Sequence, residues 1–229
     1  DILFGAPEGK TFWQSRFGYS VRLGVTALSF AIFIGIPIGI LAALKHNTIW
    51  DYTALFIATS GISFPSFVLA IFLIIIFGSW LHWVDIIVDD WSVAKYWLMP
   101  ALVLGFGTMA YTARLTRSAM LEVLRQDYIR TARAKGQIER KVLFRHALRN
   151  AAVPIVTVIG LGIALLIGGV VVTESVFTIP GLGRLTVDAV LARDYPTIQA
   201  VILLFSFVYV MINLAVDMLY TILDPRIRY

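Results

Sequence analysis

Residues 130–154 read RTARAKGQIERKVLFRHALRNAAVP, and they interrupt a chain that is otherwise mostly oily. With the lead-in from Arg114, the segment carries Arg114, Arg117, Arg125, Arg130, Arg133, Lys135, Arg140, Lys141, Arg145 and Arg149. Against these stand only Glu122, Asp127 and Glu139, a local balance of +7 where the whole chain has +5. A basic island between long apolar runs marks a cytoplasmic loop of a membrane protein. The fold class that follows is all-α integral membrane, since apolar runs of this length cross a bilayer as helices that satisfy their own backbone groups.

The bulk composition agrees. The chain has 229 residues, 59% hydrophobic and 14% charged, with a mean hydropathy of +0.84, outside the range of globular domains. Its pI near 9.6 needs no polyanion to explain it, because the basic residues lie between apolar runs, and no nucleic-acid partner is expected. There is no cysteine, hence no disulfide, thiolate metal site or thiol nucleophile. The chain starts at Asp1, and residues 1–20 have neither the basic n-region nor the apolar h-region of a signal peptide. They read as an external interfacial segment bearing Phe4, Phe12, Trp13, Phe17 and Tyr19. Gly5, Gly9, Lys10 and Thr11 imitate a phosphate-binding loop, but the glycine spacing is one residue short and Pro7 sits inside, so no nucleotide site is assigned.

Five transmembrane helices are predicted, at residues 21–44, 53–79, 98–113 with continuation through Leu124, 151–173 and 198–223. With residues 114–150 cytoplasmic, that side holds thirteen Lys and Arg, including Lys45, Arg226 and Arg228, against six on the other. The amino end is then external and the carboxyl end cytoplasmic. An odd span count with an external start suggests a six-span parent that has lost one amino-terminal span. The whole reads as a single transmembrane domain, 1–229, with an external loop at 174–198.

The spans are rich in Gly and Pro, notably Gly35, Pro37 and Gly39 in the first, Gly61 and Pro65 in the second and Gly105 and Gly107 in the third. Such residues allow close helix packing, or they line a moving path. Catalytic chemistry is poorly served. His46, His82 and His146 lie in loops or at span ends without metal spacing, so no catalytic or metal residue is assigned. Tyr209, Asn213 and Asp217 share one face of the last span; Asn213 and Asp217 are read as helix-packing residues, with Asp217 meeting Arg114 or Arg117 at matched depth. In the external segment, Pro180, Gly181 and Gly183 make a turn and residues 185–191 a short amphipathic helix.

In the basic stretch, Leu121, Leu124 and Tyr128 fall on one helix face, and Gly136 is where that helix stops. A second helical run follows, with Lys141, Arg145 and Arg149 as a basic stripe and Leu143, Phe144 and Ala147 on another side. Spacing alone leaves two readings open, a loop attracted to anionic membrane lipid and a rigid protrusion that plugs into a cytoplasmic partner.

Arg130, Thr131, Ala132, Gly136 and the following helix resemble the EAA loop of ATP-binding-cassette importer permeases. Arg130 and Thr131 replace the usual Glu and Ala, and Arg149 stands where Pro is usual, as in the dipeptide, oligopeptide and nickel branch. The blocks ISFPSF (62–67), ARLTRSAMLEVLRQDYIRTARAKG (113–136), RHALRNA (145–151), VFTIPGLGRL (176–185), ARDYP (192–196) and LDPRIR (223–228) are similar to that branch too, the IPGLGRL block to its B-type subunit. The resemblance implies a multi-pass subunit of the bacterial or archaeal cytoplasmic membrane that pairs with a C-type permease, two ABC ATPases and an extracytoplasmic solute-binding protein. It implies import of peptide, nickel or another small solute, peptide being preferred because the spans offer no His or carboxylate ligands, and a coupling loop formed by Arg130, Thr131, Ala132, Gly136, Lys141, Arg145 and Arg149. This chain is expected to bind no cofactor and to catalyse nothing, ATP and magnesium residing on the partner ATPases. A secondary transporter or channel is the rival class, disfavoured because charged residues are scarce within the spans.

Overall fold

The computed structural model describes Leu3, residues 11–85, Val88 and residues 90–223. The phosphate-loop imitation at Gly5–Lys10, and Arg226 and Arg228 of the charge count, lie outside the described residues. The described chain is helical: α1 (Arg16–Leu44), α2 (Ile49–Ser63), α3 (Ser66–Leu73), α4 (Leu98–Leu124), α5 (Asp127–Ala134), α6 (Glu139–Lys141), α7 (Leu148–Val176), α8 (Leu182–Ala192) and α9 (Tyr195–Leu223), with short 3₁₀ and π turns between them. By length and composition α1, α4 with its lead-in, and α9 through Met218 are able to cross a membrane; the bent α2–α3 pair makes a fourth if taken as one span. At 29 residues, α7 has a length of about 43 Å at 1.5 Å per residue.

Helices α1 and α4 form the centre. On α1, Leu23, Ala27, Ala31, Gly35, Gly39 and Ala42 are buried at mostly four-residue spacing, which makes one face of small residues. A Cβ at Gly35 would stand 2.8 Å from the Met109 carbonyl oxygen, and one at Gly39 only 2.5 Å from that of Ala113. The two backbones therefore touch, as small residues permit where lipid supplies no hydrophobic drive. For Gly35 and Gly39 the packing reading holds. Helix α7 lies against α4, and α8 and α9 pack against α7.

One end of the bundle is held by aromatics: Tyr19 stacks on Trp97 with ring centroids 6.0 Å apart, and Trp97 Nε1 donates to the Trp91 carbonyl at 2.8 Å. Here too the segment that follows α7 is tied down. Glu174, fully buried, accepts hydrogen bonds from Ser20 Oγ at 2.6 Å, the Gly183 amide at 2.7 Å and the Arg184 amide at 3.2 Å, while Ser20 Oγ accepts from the Leu182 amide at 2.8 Å. A Cβ at Gly181 would stand 2.3 Å from that carboxylate. The carboxylate lies directly on the glycine backbone, which is why this turn is built of Gly.

Three expectations change. The second span is broken at Phe64–Pro65, its halves bent by 105°, since Pro65 has no amide hydrogen to continue the ladder. The helix expected to run through Tyr128 ends at Leu124, and α5 starts afresh at Asp127, so Tyr128 is exposed rather than on a face shared with Leu121 and Leu124. The short helix expected at 185–191 is longer than predicted, Leu182–Ala192.

Candidate functional site

The basic segment folds into a braced elbow. Helix α5 buries Ile129 and Ala132 and ends in a turn in which the Gln137 amide donates to the Ala132 carbonyl at 3.3 Å and the Gly136 amide to Arg133 at 2.9 Å. Gly136 takes φ +72°, the left-handed conformation this C-terminal turn demands. Nothing within 4 Å would meet a Cβ there, so the requirement is one of backbone conformation and not of space.

Beyond the turn, residues Val142–Ala147 form a π-helical turn that feeds α7. The wider turn puts Val142 and Ala147, five residues apart, on the same inner side. Together with Met120, Ile129, Ala132, Ala151 and Ile155 they form one buried cluster that also includes Ala43 at the end of α1. The elbow is thereby one body with the ends of α1, α4 and α7. It is further pinned by Arg133, whose Nη2 and Nε donate to Glu139 at 2.6 and 3.1 Å, and by His146 Nε2, 2.9 Å from Gln137 Oε1. The guanidinium holds the Glu139 carboxyl below the usual glutamate value.

Of the predicted coupling residues, Ala132 is buried in this brace, whereas Arg130, Thr131, Gly136, Lys141, Arg145 and Arg149 are exposed. Arg130 lies 3.5 Å from Asp127 and Thr131 Oγ1 donates to the Asp127 carbonyl at 2.9 Å; both contacts stay within α5. Phe144 departs from the side assigned to it. It is 55% exposed, beside Ile138 at 78%, and the two line an open cavity of about 450 Å³ rimmed by Arg140, Lys141 and Arg145. Two unsupported apolar side chains within a basic rim suit a protein partner better than water. The sequence signal for this was the five-residue step from Val142 to Ala147, which an α-helical reading passes over.

A second polar cluster stands at the same end. Arg117 forks onto Asp51, Nε to Oδ1 at 2.5 Å and Nη2 to Oδ2 at 2.7 Å. Asp51 is buried and also accepts from the Asn47 amide at 3.0 Å, while His46 Nδ1 lies 3.0 Å from Asp51 Oδ2 and 3.2 Å from Arg117 Nη2. The acid that Arg117 meets is therefore Asp51, at the start of α2, where the sequence reading proposed Asp217. Arg114 lies over the Tyr111 ring, 5.5 Å from its centroid. Asn213 donates to the Tyr209 carbonyl of its own helix at 2.8 Å, and both it and Asp217 sit on the little-buried α9. Among the described residues, no group of three or more His, Asp or Glu is arranged to hold a metal ion.

The family model for the binding-protein-dependent transport system inner membrane component matches residues 35–229. The chain is 47% identical over 216 residues to the glutathione transport system permease protein GsiC of Escherichia coli (strain K12) and to that of Shigella flexneri serotype 5b (strain 8401), covering 94% of this chain and 70% of each relative. Among solved structures it is similar to the methionine ABC transporter MetNI in inward-facing conformations. The TM-score is 0.72 at 18% identity, with 90% of this chain and 93% of that one covered. An amino acid ABC transporter crystallised with histidines gives 0.65 at 15% identity, covering 93% and 92%.

Proposed function

The chain belongs to the binding-protein-dependent transport system inner membrane components, the permeases of ABC importers, and from that premise we propose that it forms half of a peptide pathway whose cytoplasmic elbow docks into an ATPase. In this reading residues 1–229 act as one permease domain, with 114–150 as the coupling region, 174–198 as the outer loop and 1–20 leading into the first span. A C-type permease supplies the other half, two ATPases hold ATP and magnesium, and a solute-binding protein delivers cargo outside. The carboxyl end then faces the cytoplasm.

The observation that carries the proposal is the elbow itself. Ile138 and Phe144 are left without cover at the tip of a body whose inner face is locked to α1, α4 and α7. A push on that tip moves the ends of three long helices together, which is a rigid-body switch between outward and inward access. The basic rim suits an acidic groove on the partner. Peptide is favoured over nickel because the relatives above are named for transport of glutathione, a tripeptide, and because this chain's described residues offer no metal-ligand cluster.

The test is co-purification of the ATPases with the intact permease from detergent. Phe144→Asp with Ile138→Asp should lower ATPase recovery at least tenfold while leaving the permease folded and membrane-inserted. Undiminished recovery would remove the elbow from the docking surface.

A further inference from the structure

We propose that the break in the second span, residues 61–66, is one wall of a peptide-binding cleft, where a freed backbone carbonyl and two unpartnered hydroxyls take hydrogen bonds from the cargo's N–H groups. This rests on the importer reading above. The Gly61 carbonyl would normally accept from the residue four positions on, but that residue is Pro65, which has no N–H. No other backbone or side-chain donor among the described residues reaches it. The oxygen faces Gly107 of α4, 3.7 Å from where a Cβ would stand.

A non-helical stretch at this depth is tolerated only where protein or a cavity covers it, and here there is a cavity. A cleft of about 200 Å³ opens beside the break, lined by Gly61, Ser66, Gly107, Thr108 and Gly169 among others. It lies well inside the apolar lengths of α4 and α7. Thr108 is more than nine-tenths buried; its methyl packs against α7 at Gly162, 2.7 Å from where a Cβ there would stand. Its hydroxyl has no hydrogen-bond partner among the described residues, and neither has that of Ser66. Polar groups removed from bulk water are normally paired, and the Gly61 carbonyl, the buried Thr108 and the half-buried Ser66 around one hollow inside a span are what a polar cargo would satisfy.

The chemistry of the wall is neutral and rich in acceptors. It suits amide or ammonium N–H groups, with backbone carbonyls at a broken helix acting as they do in other transporters. The volume is below the roughly 300–1,000 Å³ of complete small-molecule sites, as expected if the partner permease supplies the facing wall. No charged side chain lines this cleft, so recognition by it would tolerate many side chains and read the peptide backbone.

The experiment uses the complete transporter in proteoliposomes with its binding protein saturated, and compares uptake of a tripeptide with that of the same tripeptide methylated at both peptide nitrogens. Uptake is expressed per assembled complex. The wild type should carry the unmethylated peptide about fivefold faster, the size of one hydrogen bond. Thr108→Val, which keeps the packing methyl and removes the hydroxyl, and Gly107→Val, which crowds the Gly61 carbonyl, should each bring that ratio toward one. Thr108→Ser should retain it. If both valine variants keep the wild-type ratio, whether or not both rates fall together, the cleft does not read the cargo. Failure of the wild type to take up either peptide with ATP would instead strike the importer reading.

Discussion

Gly136 stands at φ +72° with open space where a side chain would go, so replacing it carries a backbone penalty alone. Gly136→Val should cost about 1–2 kcal/mol for holding an L-residue left-handed and should misplace the tip. ATP hydrolysis would continue while peptide uptake per ATP falls severalfold. Gly136→Asn, which tolerates this conformation, should restore most of the coupling; measuring both rates on one preparation decides the matter. Asp51 makes the opposite kind of demand. Removing it leaves Arg117 partly buried and unpaired, a loss of about 3–5 kcal/mol, whereas Asp51→Leu together with Arg117→Leu should recover much of that in a thermal-stability assay. In the sequence Asp51 lies two residues before the second predicted span, 53–79, and nothing there singled it out. Its partner was invisible because two residues 66 positions apart share no local pattern. The Arg133–Glu139 pair sets a pH dependence. Since the Glu139 value is lowered in the folded chain, its contribution is complete above the ordinary glutamate value near 4.3 and fades as pH falls through the lowered one. Being exposed on both sides, the pair is worth little in any case. Elbow protection in hydrogen exchange should therefore be flat from pH 6 to 8 and, so far as this pair contributes, weaken only in acid below about pH 4.

Packing decides the behaviour of the elements. Gly39→Leu drives a side chain into the Ala113 carbonyl and Thr116 and should separate α1 from α4, destabilising by about 1–3 kcal/mol or more. Gly24→Ala, a residue in the same helix with nothing within 4 Å, should leave the melting temperature unchanged. For Gly35 and Gly39 the sequence offered close packing as one of two readings, and not the partner they would meet. Helix extents along α1, α4, α7 and α9 were legible to within a few residues, because long apolar runs leave little choice. The bend in the second span was not. Pro65 announced a break, but an angle of 105° is set by how α3 packs across α4 and α7. Likewise the π turn at Val142–Ala147 replaces an α-helical stripe, since the inner side has to bury Val142 and Ala147 together.

At the scale of the molecule, the two ends do different work. One end carries the elbow, welded to three helices by a shared apolar cluster. At the other, Glu174 gathers α1, α7 and the start of α8 through hydrogen bonds with Ser20, Gly183 and Arg184. Glu174→Ala would strand those donors at about 1–3 kcal/mol for each one left buried and unpaired, so the outer segment should become protease-sensitive while ATPase docking at the far end persists. The family blocks in the sequence lie at both ends, and the basic residues Arg130, Lys141, Arg145 and Arg149 are exposed. What the sequence withheld was the apolar tip between them. The account therefore turns on whether movement at that tip drives transport. The direct measurement is ATP-dependent uptake of labelled peptide by proteoliposomes holding this permease, its partner, the ATPases and the binding protein. The account predicts accumulation with ATP that is lost in the doubly substituted Ile138→Asp, Phe144→Asp permease; flux that needs no ATP, or that survives those substitutions undiminished, would contradict it.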